Sequence, residues 1–233
     1  MILLTAATPW ESGPLAKRWK LERTGATFRG RAFGVDLIIL ETGMGAAATE
    51  SATGEPARTD PALVLEAVVC TGLAGALQPG VRSGELVADL RGAPLDWVQA
   101  ARQTAAELGR PLHLGVIWTS DDVVRDPQSK RALGEARRAV AVDMEGAVVR
   151  RWAEGRSIEY LSVRAVLDAV DQRLPSGAPE NDSPAAVARF AASHWRELPL
   201  MAALWPRQLR AMAALGVFLE AWLPRLAAQQ ANA

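Results

Sequence analysis

The chain has 233 residues, 49% of them hydrophobic and 22% charged, the balance of one ordinary globular domain with a sizeable core. Lysine plus arginine equals aspartate plus glutamate at 26 each, so no net positive field gathers nucleic acid and no acidic excess marks a disordered tail. A small, weakly charged ligand fits this balance better than a polyanion.

The opening MILLTAATPWE has no basic leader and only a short apolar run before Pro9 and Glu11, so it is expected to form a first strand, not a secretory signal or a membrane span. Further short apolar runs follow in order: VDLIIL before ETGMG, AVVC before TGLAG, ELVADL, LHLGVIWT, AVAVDM and YLSVRAV. Their length and β-branched content predict buried strands. Between several of them lie alanine-rich stretches of helical habit, GAAATESAT, LDWVQAARQTAAELG and GAVVRRWAEG. Strands alternating with helices predict an α/β sheet, whose ligands usually bind at the carboxyl ends of the strands. The single cysteine, Cys70, sits in the apolar run LEAVVCTG; an intrachain disulfide is excluded, and a buried, reduced thiol in a cytoplasmic protein is expected.

Residues 172–184, QRLPSGAPENDSP, carry three prolines and several turn formers and are expected to form a loop. Helices are expected to resume over 185–228. There Leu215, Phe218, Leu219, Trp222, Leu223 and Leu226 fall on one broad apolar stripe at i, i+3, i+4, i+7, i+8 and i+11. The stripe suits packing on the core or on another subunit. It also suits, with Trp195 and Trp205, a surface meeting a membrane or a lipid-like substrate.

GMGAAA, Gly43 to Ala48, has the form of a dinucleotide fingerprint, but it follows the second apolar run and no strand ending in an acid comes about 20 residues later. A glycine turn allowing close backbone approach is the expectation. TGLAGALQPG lacks the lysine and hydroxyl of a P-loop. His113 and His194 are in no metal-ligand spacing, and no motif supports a histidine-assisted nucleophile. Carboxylates remain: Glu11, Glu145, Asp168 and Asp171, all expected near strand ends. Each alone could be a cap or a surface charge; partly desolvated together, they could serve as general acid and base.

The ordered series ILLTAATPWESGPL, ETGMGAAAT, CTGLAGALQPGVRSGELV, TSDDVV, VDMEGAVV and VRAVLDAVDQ resembles the nucleoside phosphorylase and nucleosidase superfamily, which includes methylthioadenosine/S-adenosylhomocysteine nucleosidase and futalosine hydrolase. The likeness runs over residues 1 to 173 or so. It implies a single α/β domain over residues 1–233, with a central mixed, partly closed sheet flanked by helices, usually assembled as a homo-oligomer. It implies a small-molecule nucleoside substrate, with no nucleic acid, metal or organic cofactor. By resemblance, Glu11 is the base that deprotonates water, Asp168 the acid that protonates the purine at N7, Met144 packs on the ribose and Glu145 accepts bonds from its hydroxyls. Gly72, Leu73, Ala74 and Gly75 would lie near the nucleophile and sugar, and Val123 and Val124 at the base.

Some positions depart from that pattern. Val123 stands where methylthioadenosine-cleaving nucleosidases carry an aromatic residue, Leu167 where a serine commonly precedes the acid, and Leu73 where the glycine turn has a small polar residue. The segment between Leu90 and Trp97 is shorter than the family's substrate-covering insertion. These changes imply a different or more apolar substrate, or a degenerate site that binds nucleosides without turnover. Cys70 and Thr71 occupy the stretch where the family's phosphorylases place an arginine, which favours water over phosphate; Arg82 and Arg164 keep phosphorolysis open. The tail PLMAALWPRQLRAMAALGVFLEAWL is similar to the hopanoid-biosynthesis branch, whose members remove adenine from adenosylhopane.

Overall fold

The run ILLTA forms β1 (Ile2–Ala6), all five residues buried. A continuous apolar strand requires this when helices cover both faces of a sheet. The computed structural model describes residues 1–53, 64–177, 190 and 192–230, without the side chains of 229 and 230. Within them β1 lies between two parallel partners, β4 (Val35–Glu41) and β5 (Ala67–Ala76).

The long strand β5 organises the site. One edge pairs parallel with β10 (Glu159–Asp168) along nearly its whole length. The other edge pairs with β1 only as far as Cys70, then with β9 (Ala139–Asp143), antiparallel, at Gly75 and Ala76. The sheet therefore forks along Thr71 to Ala74, and the backbone polar groups there are free to meet side chains. An α/β sheet binds ligands at such a change of strand order.

The remaining strands extend the two arms. A polar hairpin, β2 (Glu22–Thr24) and β3 (Thr27–Ala32), continues the sheet beyond β4. On the other side β6 (Leu86–Asp89) runs antiparallel to β10, and β7 (Leu112–Leu114) parallel to β6. The expected strand LHLGVIWT divides at Gly115, where a side chain would put its Cβ 2.6 Å from Val140. Past that close approach β8 (Val116–Thr119) pairs with β9.

Helices cover both faces. α1 (Pro9–Trp19), α3 (Leu95–Glu107) and α6 (Leu198–Gln230, after a 3₁₀ turn at Trp195–Glu197) share one core with Ile2, Leu4, Val69 and Leu161. On the opposite face α5 (Gly146–Glu154) packs Val149 and Ala153 on Leu3, Ile38, Val68 and Cys70. The helices α2 (Ala46–Thr53) and α4 (Pro127–Arg137) flank the forked end. Cys70 is free and buried, as expected.

The apolar stripe has one answer within this chain. Leu215, Phe218, Leu219, Trp222, Leu223 and Leu226 are all 0% exposed, packed on the sheet. The segment Trp195–Ala228 has the length and hydropathy of a membrane span by composition alone, but this stripe is spent on the core. What stays exposed on α6 is its first half, including Leu198, Trp205 and Leu209. Of the expected loop 172–184, the part from 178 lies outside the described residues, as do residues 185–189 at the start of the expected C-terminal helices.

Candidate active site

Glu11 is the third residue of α1, which starts with Pro9 in its first turn, where a missing N–H costs nothing. Its Oε2 reaches back to accept from the N–H groups of Ala7 (2.9 Å) and Thr8 (3.0 Å). Its Oε1 accepts from the N–H of Leu73 (2.7 Å), a donor that the fork in the sheet leaves unpaired. The cap reading of Glu11 is thus true as well, and the cap is what fixes it against β5. Gly72 makes the approach feasible: its φ is +122°, and a Cβ there would lie 2.5 Å from Oε1 of Glu11. Burial raises the proton affinity of Glu11 above that of an ordinary carboxyl, against the opposing pull of Arg164 and the Leu73 N–H.

Glu145, whose place among apolar neighbours is unusual for a carboxylate, precedes α5 and is 6% exposed. Oε1 accepts from the N–H of Gly45 (3.1 Å), in the GMG turn, and Oε2 lies 3.5 Å from Arg164. That turn leads into α2 and serves as the close-approach glycine turn expected of it. Arg164, itself buried, donates to Asp143 (2.8 Å), to the carbonyl of Leu73 (3.1 Å) and to Sγ of Cys70 (3.1 Å). It ties β10, β5 and β9 together behind the carboxylates, and the surrounding negative charges hold its own charge firmly.

Asp168 closes β10. In the ladder with β5, Val166 faces Ala74 and Asp168 faces Gly75, so Leu167 is an extra, bulged residue. A bulge re-aims the following side chain, a device common beside active sites. Asp168 is 2% exposed; its Oδ2 accepts from Nζ of Lys130, a wholly buried residue of α4. Burial raises its proton affinity, with Lys130 pulling the other way. Gly72, beside Glu11, and Gly75, beside Asp168, are three residues apart, roughly 10 Å along the strand.

A cavity of about 800 Å³ joins these groups. Glu11, Glu145, Asp168, Met144, Leu73, Ala74 and Gly75 all line it, and so do Val123 and Val124. Asp171 is exposed and is not among the lining residues, so one of the four candidate carboxylates falls outside the site. Among the lining residues none is lysine, arginine or histidine, while five are acidic: the three above, Asp122 and Asp143. Arg82 is exposed and Arg164 lies behind the wall with both terminal nitrogens of its guanidinium already bonded.

Sequence reasoning passed over several of these residues. Asp143, next to the singled-out Met144, accepts from Thr119 Oγ1 (2.7 Å) and from the Gly146 N–H (3.1 Å) besides Arg164. Trp10 and Trp205 meet edge to face at the mouth, ring centres 5.4 Å apart. Lys130 is a lone lysine in a polar helix, and no pattern in PQSKRALGEAR marks it as inward-facing.

A family model, the phosphorylase superfamily, matches residues 92–196, which include β9, α5 and β10. The structure superposes on futalosine hydrolase of Helicobacter pylori with a TM-score of 0.66 at 16% identity, covering 94% of this chain and 98% of that one. It is similar to the methylthioadenosine/S-adenosylhomocysteine nucleosidases of Streptococcus pneumoniae (TM-score 0.68, 20% identity, 94% and 98% covered) and Neisseria meningitidis (0.69, 16%, 96% and 98%). The fold is the one these nucleosidases share. No curated protein matches the chain in sequence. At these identities the superfamily likeness establishes the architecture: a single α/β domain on a mixed sheet, as the sequence led one to expect.

Proposed function

We propose that this protein hydrolyses the N-glycosidic bond of a purine nucleoside carrying an apolar 5′ substituent, releasing the free base. The observation that carries the reading is the cavity wall, on which carboxylates converge and, among the described residues, no cationic side chain appears. Breaking the bond to the base leaves an oxocarbenium-like sugar, and such a charge is stabilised by surrounding carboxylates. Glu11 activates water at one end and Asp168 delivers a proton to the departing base at the other. Glu145 accepts bonds from the ribose hydroxyls, beside Met144 against the sugar. Solved structures of the same fold are named as futalosine hydrolase and methylthioadenosine/S-adenosylhomocysteine nucleosidase, which supports the reaction class.

Water is the nucleophile in this reading. A phosphate dianion would enter a wall of like charge with no lysine or arginine among the described lining residues to receive it, at a cost of several kcal/mol when charges of one sign are brought together at low dielectric. The 5′ substituent is placed among Trp10, Met44, Met201, Leu204 and Trp205, an apolar mouth that suits the hydrocarbon-bearing nucleosides of the hopanoid branch. Exposed apolar residues around that mouth fit a homo-oligomer, and the reduced Cys70 fits the cytoplasm.

The deciding experiment is release of free base from methylthioadenosine, adenosylhomocysteine, adenosine, inosine, futalosine and adenosylhopane, each with and without phosphate. Release at a rate indifferent to phosphate is expected. A rate that depends on phosphate would make the protein a phosphorylase, and binding without release would make it a nucleoside-binding protein.

A further inference from the structure

The ion pair between Lys130 and Asp168 is the feature of the site that neither fold nor packing explains. Lys130 is 0% exposed, on a helix whose other charged residues, Arg131, Glu135 and Arg137, are exposed. Its ammonium group has three hydrogens and three acceptors: Oδ2 of Asp168 and the carbonyl oxygens of Ala169 and Gln172. None is left for a ligand, and Lys130 does not line the cavity. Whatever it does for the reaction, it does through Asp168.

Stability alone is a weak reason for such a pair. Desolvating two charges costs several kcal/mol each, and exchanging a buried pair for apolar residues is often neutral or stabilising. The geometry offers another reason. Leu167 stands before Asp168 as a bulged residue with no polar side chain, so the adjacent position provides no hydroxyl to orient the carboxyl group. With Oδ2 held by Lys130, no side-chain or backbone donor among the described residues bonds Oδ1, and Asp168 faces the cavity. We propose that Lys130 is the positioning residue of the site, clamping Oδ2 of Asp168 so that Oδ1 is presented to the leaving base.

This rests on the nucleosidase reading for the identity of the base, but not for the clamp itself. The charged groups around Asp168 are few. Lys130 comes from α4 and Arg207 from α6; Arg207 acts at longer range and donates to Gln172 Oε1 at 3.4 Å. Asp122 lines the same cavity, Asp171 is exposed three residues on, and Glu11 and Glu145 belong to its other end. β5 and β9 contribute Gly75 and Val142, which carry no charge. Lys130 is therefore the dominant cation, and it opposes the effect of burial on Asp168.

The test is Lys130→Met, near in shape and without charge. Loss of an adjacent cation should move the alkaline limb of kcat/KM upward by roughly 1–3 pH units, because Asp168 then keeps its proton to higher pH. A lower rate with an unmoved limb would mean that Lys130 only supports the fold, and would overturn the proposal. A second measurement needs no turnover. The ¹³C carboxyl resonance of Asp168, assigned by its loss in Asp168→Asn, should titrate at lower pH in the wild-type protein than in Lys130→Gln, which keeps a donor without the charge. A titration that the substitution leaves unmoved also overturns the clamp. If the titration moves and no nucleoside is cleaved, the clamp stands and the reaction class falls.

Discussion

At Glu11 one carboxylate is asked to do two things that usually exclude each other. Three backbone N–H groups stabilise its charge, while burial at 5% exposure destabilises it, and burial dominates. The result suits a general base, whose proton affinity should lie nearer the working pH than that of a free glutamate. Glu11→Gln keeps the shape and removes the base, so hydrolysis should be abolished with folding intact; full activity in this variant would assign the base elsewhere. Gly72→Ala should also abolish it, since its Cβ and the Glu11 oxygen cannot share one place. The stability of the two glutamate forms should diverge in a stated direction. Because the folded value is raised, the contribution of Glu11 is fully present below the ordinary value of 4.5 and is lost as pH rises through the folded value. Urea unfolding at a series of pH values should show the wild type losing stability relative to Glu11→Gln across that window. Parallel curves would contradict the direction of the shift.

Among the elements, α6 shows how one helix serves two ends. Its second half is core: Leu219 is 0% exposed among Phe218, Trp222 and Leu223. Leu219→Ala should cost about 2–5 kcal/mol in chemical denaturation, from lost transfer energy and the cavity left behind. Leu209→Ala, at a position 52% exposed, should stay within about 0.5 kcal/mol. Equal losses at the two positions would deny that only the second half is packed. Most of the apolar runs were legible because they are buried and rich in β-branched residues, and period and length suffice to find such strands; LHLGVIWT, half-buried and divided at Gly115, was found as one strand where there are two. β2 and β3 were not, because a polar edge hairpin has no hydrophobic signature. In the site, Glu11, Glu145 and Asp168 stood out as acids at strand ends. Lys130, Asp143, Trp10 and Trp205 did not, since their roles depend on which side of a helix or turn faces inward and on contacts up to 195 positions apart.

For the whole molecule, the decisive geometry is that the fork in the sheet and the two helices at its ends enclose one space with a charged floor and an apolar mouth. The floor lies where β5 parts from β1 and joins β9, and in the proposed reaction it would hold the reacting bond. The mouth is made by α1 through Trp10 and by the exposed half of α6 through Met201, Leu204 and Trp205. If the 5′ substituent sits there, its apolar length should be read as binding energy. Burying a methylene is worth about 0.8 kcal/mol, a factor of roughly four in kcat/KM per carbon. A series of adenosines with 5′-alkylthio chains of increasing length should therefore rise by about that factor per carbon until the mouth is filled. Trp205→Ala opens the wall, so the same series should climb less steeply while the shortest member is cleaved at a nearly unchanged rate. A flat series in the wild type would remove the apolar substituent from the substrate and leave the Trp10 and Trp205 pair to another partner, with the floor and its carboxylates unaffected.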